Sequence, residues 1–248
     1  MIDALHGIGP VLAAITVLAL VAIGVGRWAG LGHGRDVVVV VARAVVQIVA
    51  VGLVLGFVLR TAALAPLYLC LALGIASWTS ARRLRFPRVW PVTVVAIGAG
   101  AATASAVVIG TGALQPHVLQ VVPFTAQLIG GAMSATTLAG RRMLDDVAAD
   151  WATVESWLAI GATGREAVAD VGRTAAQRAL APALDQTRTV GLVTLPGAFV
   201  GLLLGGASPL EAARVQLLVL VGLVAAETVA VVLVTAGLGR RIRQRPER

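Results

Sequence analysis

Residues 214–236 read RVQLLVLVGLVAAETVAVVLVTA, and this stretch decides the fold class. It is almost entirely apolar, with a single acidic residue, Glu227, near its middle. An α-helix of about 20 apolar residues is long enough to cross the roughly 30 Å hydrocarbon core of a bilayer. The stretch therefore predicts a membrane-spanning helix.

Similar apolar runs occur throughout the chain, and the composition agrees with them. The 248 residues are 58% hydrophobic and 13% charged, whereas soluble domains have about 45–50% and about 25%. These values exclude a water-soluble enzyme. We expect an all-α fold, a polytopic transmembrane helical bundle that forms a single domain over residues 1–248. Its predicted spans, about seven, lie near 7–26, 37–59, 62–81, 90–112, 118–138, 189–206 and 214–236.

The basic residues predict the orientation of these spans. All 20 are arginine, and they fall mainly in alternate connections and in the tail, where cytoplasmic loops are usually basic. The N-terminus is therefore predicted outside and the C-terminus inside. This distribution favours membrane topology over nucleic-acid binding. Because a P-loop requires a lysine for the nucleotide phosphates, the absence of lysine also excludes an ordinary internal ATPase site of that type.

Residues 139–188 form the longest polar stretch and hold 7 of the 12 acidic residues. Apolar residues at helical spacing predict an amphipathic helix that continues from the fifth span and ends at Gly161. Thr163 and Glu166 have the spacing of a capping box at the start of a second helix. That second helix is expected to break near Pro182. The segment is thus predicted to be a helix, a glycine turn and another helix on the cytoplasmic side.

One part of this segment is similar to a known coupling element. Glu155-Ser-Trp-Leu-Ala-Ile-Gly161 resembles the EAA loop of bacterial ABC permeases, although Ser156-Trp157 stand in place of the usual alanine pair. In those permeases the loop rests in a groove on the ATP-binding subunit. From the residues alone, an amphipathic interfacial helix that ends at a glycine explains the pattern equally well. The resemblance implies coupling residues, which are Glu155, Trp157, Gly161, Gly164, Arg165 and Glu166.

Three further blocks extend the resemblance over about residues 37–238. They are Arg43-AVVQIVAVGLV-Leu55, Val121-VPFTA-Gln127 and Thr189-VGLVTLP-Gly197, and they resemble the FetB family of ABC permeases. The stretch from Leu158 to Val168 in the cytoplasmic segment resembles the same family. The resemblance implies a homodimer that works with two copies of a separate ATP-binding protein, in a bacterial plasma (inner) membrane. It also implies export of iron or another metal or small solute. No cofactor is implied for this chain.

Glu227 is the principal candidate within the spans. A charged residue at the centre of a membrane helix costs roughly 2.5–3.5 kcal/mol on insertion scales, so it should face the bundle interior or water. It could bind a substrate cation or a proton. It could equally be a protonated or arginine-paired structural residue.

Other polar residues in the spans are candidates for the same pathway. Arg43 and Gln47 share a face of the second span, where Arg43 could also extend to the cytoplasmic surface or form a structural pair with an acidic residue. Gln120 and Gln127 share a face of the fifth span, with Thr125 beside them and Ser134, Thr136 and Thr137 further along. These side chains could line a polar pathway or form hydrogen bonds between helices.

The sixth predicted span has an unusual composition. Gly197, Gly201 and Gly205 recur every four residues after Pro196, a spacing that lets another helix approach closely. Both packing within one subunit and packing across a dimer axis fit. Pro196 is expected to kink the helix or to begin a re-entrant segment.

No metal site is evident from ligand spacing. His6, His33 and His117 lie far apart, and Cys70 is the one cysteine. A soft-metal or zinc site needs closely spaced ligands, so metal ligands remain unassigned and metal as substrate rests on the resemblance.

Two other functions remain open from the sequence. The first is an ion- or proton-coupled secondary transporter that uses Glu227, which would transport without an ATPase. The second is a non-transporting membrane scaffold that binds a cytosolic partner through residues 139–188.

Overall fold

The computed structural model describes residues 2–32 and 34–242 and confirms an all-α protein. Apart from one isolated bridge between Val190 and Thr194, the regular structure in this part of the chain is helical. The elements are α1 (Ile2–Trp28), α2 (Gly34–Arg60), a short 3₁₀ turn (Ala62–Leu64), α3 (Ala65–Leu84), α4 (Trp90–Gly110), α5 (Val118–Ala149), α6 (Trp151–Ala159), α7 (Gly164–Ala167), α8 (Ala169–Thr189), α9 (Gly197–Leu204) and α10 (Pro209–Gly239).

Six of the described helices are long and apolar enough to cross a membrane. They are Gly9–Trp28, Gly34–Val58, Ala62–Leu84, Trp90–Gly110, Val118–Ala149 and Pro209–Gly239. These helices correspond to six of the seven stretches predicted from the sequence. The polytopic helical bundle is therefore confirmed.

The remaining stretch, 189–206, differs from the prediction. It contains a non-helical segment over residues 190–196 and then α9, which has 8 residues. Gly191 has a φ of 80°, and Pro196 supplies no backbone N–H for a helix that would continue through it. Gly205 and Gly206 then end α9 after two turns. An eight-residue helix is too short to cross a bilayer alone.

The chain divides into two compact units, Met1–Thr61 and Ala62–Arg248. In the first unit α1 and α2 form a hairpin, since Gly34 at the start of α2 lies against Ile23 and Arg27 near the end of α1. The described side chains of α1 are all exposed or half-buried. Lipid tails suit such an apolar surface, because they are as apolar as the side chains themselves.

In the second unit the bundle core is formed by α3, α4, α5 and α10. Gly131 of α5 lies against Leu223 of α10, and Gly140 further along α5 lies against Leu238 further along α10. These two helices therefore run parallel. Gly237 of α10 lies instead against Val92, at the start of α4, so α4 runs antiparallel to both.

Small and hydroxyl residues hold these helices together. Thr137 donates to Ser80 Oγ at 3.0 Å, which joins α5 to α3. Thr93 donates to the carbonyl of Ser77 at 2.9 Å and joins α4 to α3. The hydroxyls of Ser105 and Thr125 are 3.1 Å apart between α4 and α5. Thr125 and Thr137 thus form interhelical hydrogen bonds, which is one of the two roles expected for them.

The predicted break near Pro182 is wrong. Helix α8 continues through Pro182 to Thr189, and the chain turns earlier, at Val168. A proline inside a helix leaves the carbonyl four residues earlier without its N–H donor. That carbonyl belongs to Arg178, and the guanidinium of Arg142 on α5 donates to it. A neighbouring helix thus satisfies the group that Pro182 frees, and α8 stays continuous.

Candidate functional site

The segment that resembles a coupling loop forms a compact helix–turn–helix element. Helix α6 ends just before Gly161, whose φ of 94° lies in the region that favours glycine. Thr163 then caps α7 through the predicted capping box: its backbone N–H donates to Glu166 Oε2 at 2.8 Å, and Glu166 N–H donates to Thr163 Oγ1 at 3.3 Å. The capping box is confirmed. The Thr163 hydroxyl and then its backbone N–H, both donating to the carboxylate, hold the pKa of Glu166 below its usual value.

The first residue of α7 rests on the end of α10. A Cβ built on Gly164 would lie 2.8 Å from the carbonyl oxygen of Gly239 and even closer to that of Ile242. Only glycine allows this approach of two backbones. Gly164 therefore fixes the helix–turn–helix element to the last turn of α10. Its importance was expected from the resemblance, but the contact itself depends on the fold.

Beside this contact is an open cavity of about 600 Å³. Its lining combines apolar groups with two arginines, and consists of Leu158, Ala162, Thr163, Gly164, Arg165, Arg240 and Ile242. Arg240 and Ile242 follow the seventh predicted span, and sequence reasoning used the arginine only to orient the chain. In the sequence, only their position directly after a membrane helix indicates that these two residues could contribute to a site.

The outer face of α6 is exposed and partly apolar. Val154 is buried beneath it, whereas Glu155 points away from the bundle. Trp157 is 51% exposed and Ile160 is 76% exposed. Exposed aromatic and aliphatic side chains outside the membrane helices are typical of a protein–protein contact. Ile160 was not singled out from the sequence.

Glu227 lies half-buried against α5 in the middle of α10. A Cβ on Gly131 would be 2.8 Å from Glu227 Oε1, so the carboxylate occupies the space that this glycine leaves. Among residues 2–32 and 34–242, no hydrogen bond or ion pair to the Glu227 carboxylate is present. The alternative of an arginine-paired structural residue therefore finds no partner within the described protomer. Gly131 was missed by sequence reasoning, although Gly130-Gly131 is visible as a pair of small residues in the fifth span.

An exposed polar stripe follows α5 beside Glu227. Gln127 lies one turn before Gly131 and Ser134 lies one turn after it, and both are exposed. Gln120, two turns before Gln127, accepts a hydrogen bond from the backbone N–H of Gln115 at 3.2 Å. Gln120 thus has a structural bond at the helix start, while Gln127 and Ser134 form the polar surface nearest to Glu227.

Arg43 and Gln47 are both on α2, in the first unit, and both are exposed. Neither makes a hydrogen bond or ion pair within the described part of the chain. Their assignment to a pathway stays a prediction.

The glycines of α9 have no helix packed on them within the second unit. Nothing lies within 4 Å of a Cβ built on Gly197 or Gly201, and Gly205 meets only carbonyls of its own helix. Pro196 directly precedes the helix, with φ −65° and ψ 147°. Of the two expected roles for Pro196, it begins a short helical segment rather than kinking a long one.

Within the described residues, no group of three or more His, Cys, Asp or Glu side chains could hold a metal ion. His33 and the side chain of His6 lie outside the described residues, as do the tail arginines beyond Ile242.

Comparison of the sequence with known proteins finds one matching family and several relatives. The sequence profile of the uncharacterised protein family UPF0014 matches residues 10–242. The UPF0014 membrane protein STAR2 of Oryza sativa subsp. japonica is 33% identical over 90% of this chain and 79% of its own length. The probable iron export permease protein FetB of Escherichia coli K12 is 31% identical over 84% of this chain and 82% of its own length. Protein ALUMINUM SENSITIVE 3 of Arabidopsis thaliana is 32% identical over 88% and 81%, respectively. No solved structure matches the chain.

Proposed function

The chain belongs to the UPF0014 family, and we propose that this multi-pass membrane protein is the permease subunit of an ABC transporter. Two copies form the transport pathway, and two copies of a separate ATP-binding protein drive it. The substrate is iron or another metal cation or small solute, moved out of the cytoplasm. The name of the E. coli relative, a probable iron export permease, supports the substrate and the direction.

The observation that carries the proposal is the contact between α7 and the last turn of α10. Gly164 at the start of α7 meets the carbonyls of Gly239 and Ile242, and Glu227 lies on the same α10 about 18 Å away at 1.5 Å per residue. A force applied to the helix–turn–helix element therefore reaches the helix that holds the intramembrane carboxylate. Such a mechanical link is what a permease needs when a separate ATP-binding protein drives it.

Each element of the coupling segment has a defined task in this mechanism. The ATP-binding protein contacts the exposed face of α6, where Trp157 and Ile160 supply apolar area and Glu155 supplies charge. Gly161 allows the sharp turn, and the Thr163–Glu166 capping box keeps α7 formed. Arg165 extends from α7 into the neighbouring cavity. Movement of this rigid element then shifts α10 against α4 and α5.

The pathway is proposed to run along the exposed polar stripe of α5. A stripe with Gln127 and Ser134 is poorly suited to lipid, so a second copy of the chain is expected to cover it. Glu227 and Gln127 would then contribute oxygen ligands, which hard cations accept. The open face of Gly197 and Gly201 on α9 is available to the same neighbour.

The test begins with co-expression of the chain and the ATP-binding protein, followed by purification of the complex and reconstitution into vesicles. Metal salts, iron first, are screened for stimulation of ATP hydrolysis and for transport. Replacement of Glu155 and Gly161 should leave membrane insertion and dimerisation intact but remove the stimulation. Wild-type stimulated ATPase activity in that double variant would contradict the coupling role.

Glu227→Gln tests the pathway separately, because it keeps the side-chain shape and removes the charge. We expect loss of substrate-stimulated ATPase activity and of transport. Glu211→Gln is the matched control: it makes the same change on the same helix, at an exposed position in its first turn. Equal activity of the two variants would show that the charge of Glu227 is not needed for transport and that the residue is structural.

One observation favours a second candidate function. The Glu227 carboxylate has no partner among the residues that the structure describes, and such a group is also what an ion- or proton-coupled secondary transporter requires. That function predicts transport by the purified chain alone, driven by an ion gradient. Gradient-driven transport without the ATP-binding protein would replace the first proposal with this one.

A further inference from the structure

Six exposed arginines surround one end of the second unit, and we call them the arginine surface: Arg82, Arg83, Arg85, Arg88, Arg240 and Arg241. The first four lie at the end of α3 and in the turn before α4, and the last two follow α10. None of the six forms an ion pair within the described residues, where the ion pairs present all involve α8. No ion pair among residues 2–32 and 34–242 therefore compensates the positive charge of this surface.

Two tryptophans set the depth of the arginine surface relative to the bilayer. Trp78 is 56% exposed and Trp90 is 52% exposed, and exposed tryptophans in membrane helices concentrate at headgroup level. The Arg82 guanidinium lies 5.4 Å from the centre of the Trp78 ring. Because guanidinium groups stack favourably on aromatic faces, Arg82 is held at the depth of that ring.

Arg240 and Arg241 lie at the same depth. Arg241 donates a hydrogen bond to the carbonyl oxygen of Arg88 at 3.0 Å, and Arg88 is two residues before Trp90. The end of α10 is thereby tied to the α3–α4 turn. Arg240, the residue after α10, is consequently at headgroup level as well.

The cavity of about 600 Å³ opens beside Arg240 and is also lined by Arg165, so two guanidinium groups border one space. The half-buried side chains of Leu158 and Ala162 provide an apolar wall in the same cavity. A ligand that fits both must combine a negatively charged oxygen group with an adjoining apolar portion. Guanidinium groups bind phosphate oxygens through paired N–H donors.

We propose that this cavity binds the phosphate headgroup of an anionic phospholipid. Arg165 and Arg240 bind the phosphate, and Leu158 and Ala162 contact the glycerol and the first acyl carbons. The other members of the arginine surface attract anionic lipids to the site, as basic clusters at the membrane surface do. The bound lipid then joins α7 to the end of α10 beside the Gly164 contact.

The depth of Arg240 favours a lipid over an acidic partner protein. A protein in the cytoplasm would have to reach a cavity whose edge is at the level of Trp90 and the surrounding headgroups. Lipid binding also does not depend on the proposed permease function. A chain that does not transport would still bind the lipid, and a permease without this site would still hydrolyse ATP with its partner.

The test is native mass spectrometry of the purified full chain, with phosphatidylglycerol and phosphatidylcholine offered in equal amounts. We expect preferential retention of phosphatidylglycerol by the wild type. Each arginine near an anionic surface contributes about fivefold, so Arg165→Gln with Arg240→Gln should lower the preference by about 25-fold. The matched control, Arg173→Gln with Arg188→Gln on α8, removes the same charge from exposed positions and should retain the preference.

Inorganic phosphate distinguishes the lipid from a free anion. Millimolar phosphate should displace little phosphatidylglycerol, because phosphate lacks the apolar portion. Full displacement by phosphate would overturn the assignment to a lipid, as would equal retention of the two lipids by the wild type. An equal loss in the control variant would also overturn it, since net charge alone would then explain the binding. Loss of the ATP-binding protein instead of the lipid in the cavity variant would assign the arginines to a protein contact.

Discussion

Replacement of Gly164 by alanine tests how the coupling segment is joined to the transmembrane bundle. The added methyl carbon would lie 2.8 Å from the Gly239 carbonyl oxygen and closer still to that of Ile242, whereas non-bonded heavy atoms ordinarily sit about 3.5–4.0 Å apart. Both obstacles are backbone atoms at the end of α10, so no side-chain rotation relieves the overlap. The cost of such overpacking is about 1–3 kcal/mol.

We expect α7 to separate from α10 rather than the bundle to unfold. A change of about 1–3 kcal/mol corresponds to a 5–150-fold shift in a local equilibrium. Hydrogen–deuterium exchange should therefore show that factor in peptides covering residues 158–172, with little change in α3, α4 and α5. In the complex with the ATP-binding protein, substrate stimulation of ATP hydrolysis should fall in parallel.

Two alanine variants separate the contact from other effects of removing a glycine. Gly161→Ala places a side chain at a φ of 94° but in open space, so it strains the turn without touching α10. Gly201→Ala adds a methyl group to a helical position with nothing within 4 Å in the protomer. Unchanged exchange and unchanged coupling in Gly164→Ala would refute the inference that α7 acts through the end of α10.

Three further predictions concern other parts of the molecule. Gly201→Leu should weaken homodimerisation in a crosslinking assay if a second copy covers α9, whereas Gly74→Leu, also at an open position, should not. Arg142→Gln should cost about 1.5–3 kcal/mol for a lost charged hydrogen bond, but much less in the presence of Pro182→Ala, which restores an N–H donor to the freed carbonyl; a double-mutant cycle of unfolding free energies measures this difference. Because hydrogen bonds from Thr163 lower the pKa of Glu166, the contribution of Glu166 to α7 should be complete above about pH 4.3, the unfolded value. That contribution should disappear as the pH falls through the lower folded pKa, and amide exchange of α7 below and above pH 4 checks the sign.

Local chemistry explains which features could be predicted from the sequence. Six apolar runs became helices long enough to cross a membrane, because length and apolarity alone decide whether a helix suits the bilayer. The Thr163–Glu166 capping box was predictable for a similar reason, since both partners lie within one helical turn. The turn at Gly161 likewise followed from a glycine at the end of an amphipathic run.

The errors concern two segments whose structure hydropathy does not determine. The stretch 189–206 is apolar enough to suggest a span, yet Gly191 and Pro196 divide it and leave the eight residues of α9. Pro182 was expected to end a helix, but Arg142 on another helix supplies the donor that the freed carbonyl needs. Hydropathy alone predicts neither the non-helical segment over residues 190–196 nor the hydrogen bond that keeps α8 continuous at Pro182.

The sequence by itself determined that this protein lies in a membrane and that one carboxylate, Glu227, is within a span. It also determined that a capped helical element follows the fifth span. Only the tertiary structure decided that Glu227 rests on Gly131 and that Gly164 meets the end of α10. These contacts join residues far apart in the chain, where the absence of a side chain makes room for another helix. The physical reason is that helix formation and membrane insertion are local properties, whereas close packing depends on the shapes of two surfaces at once.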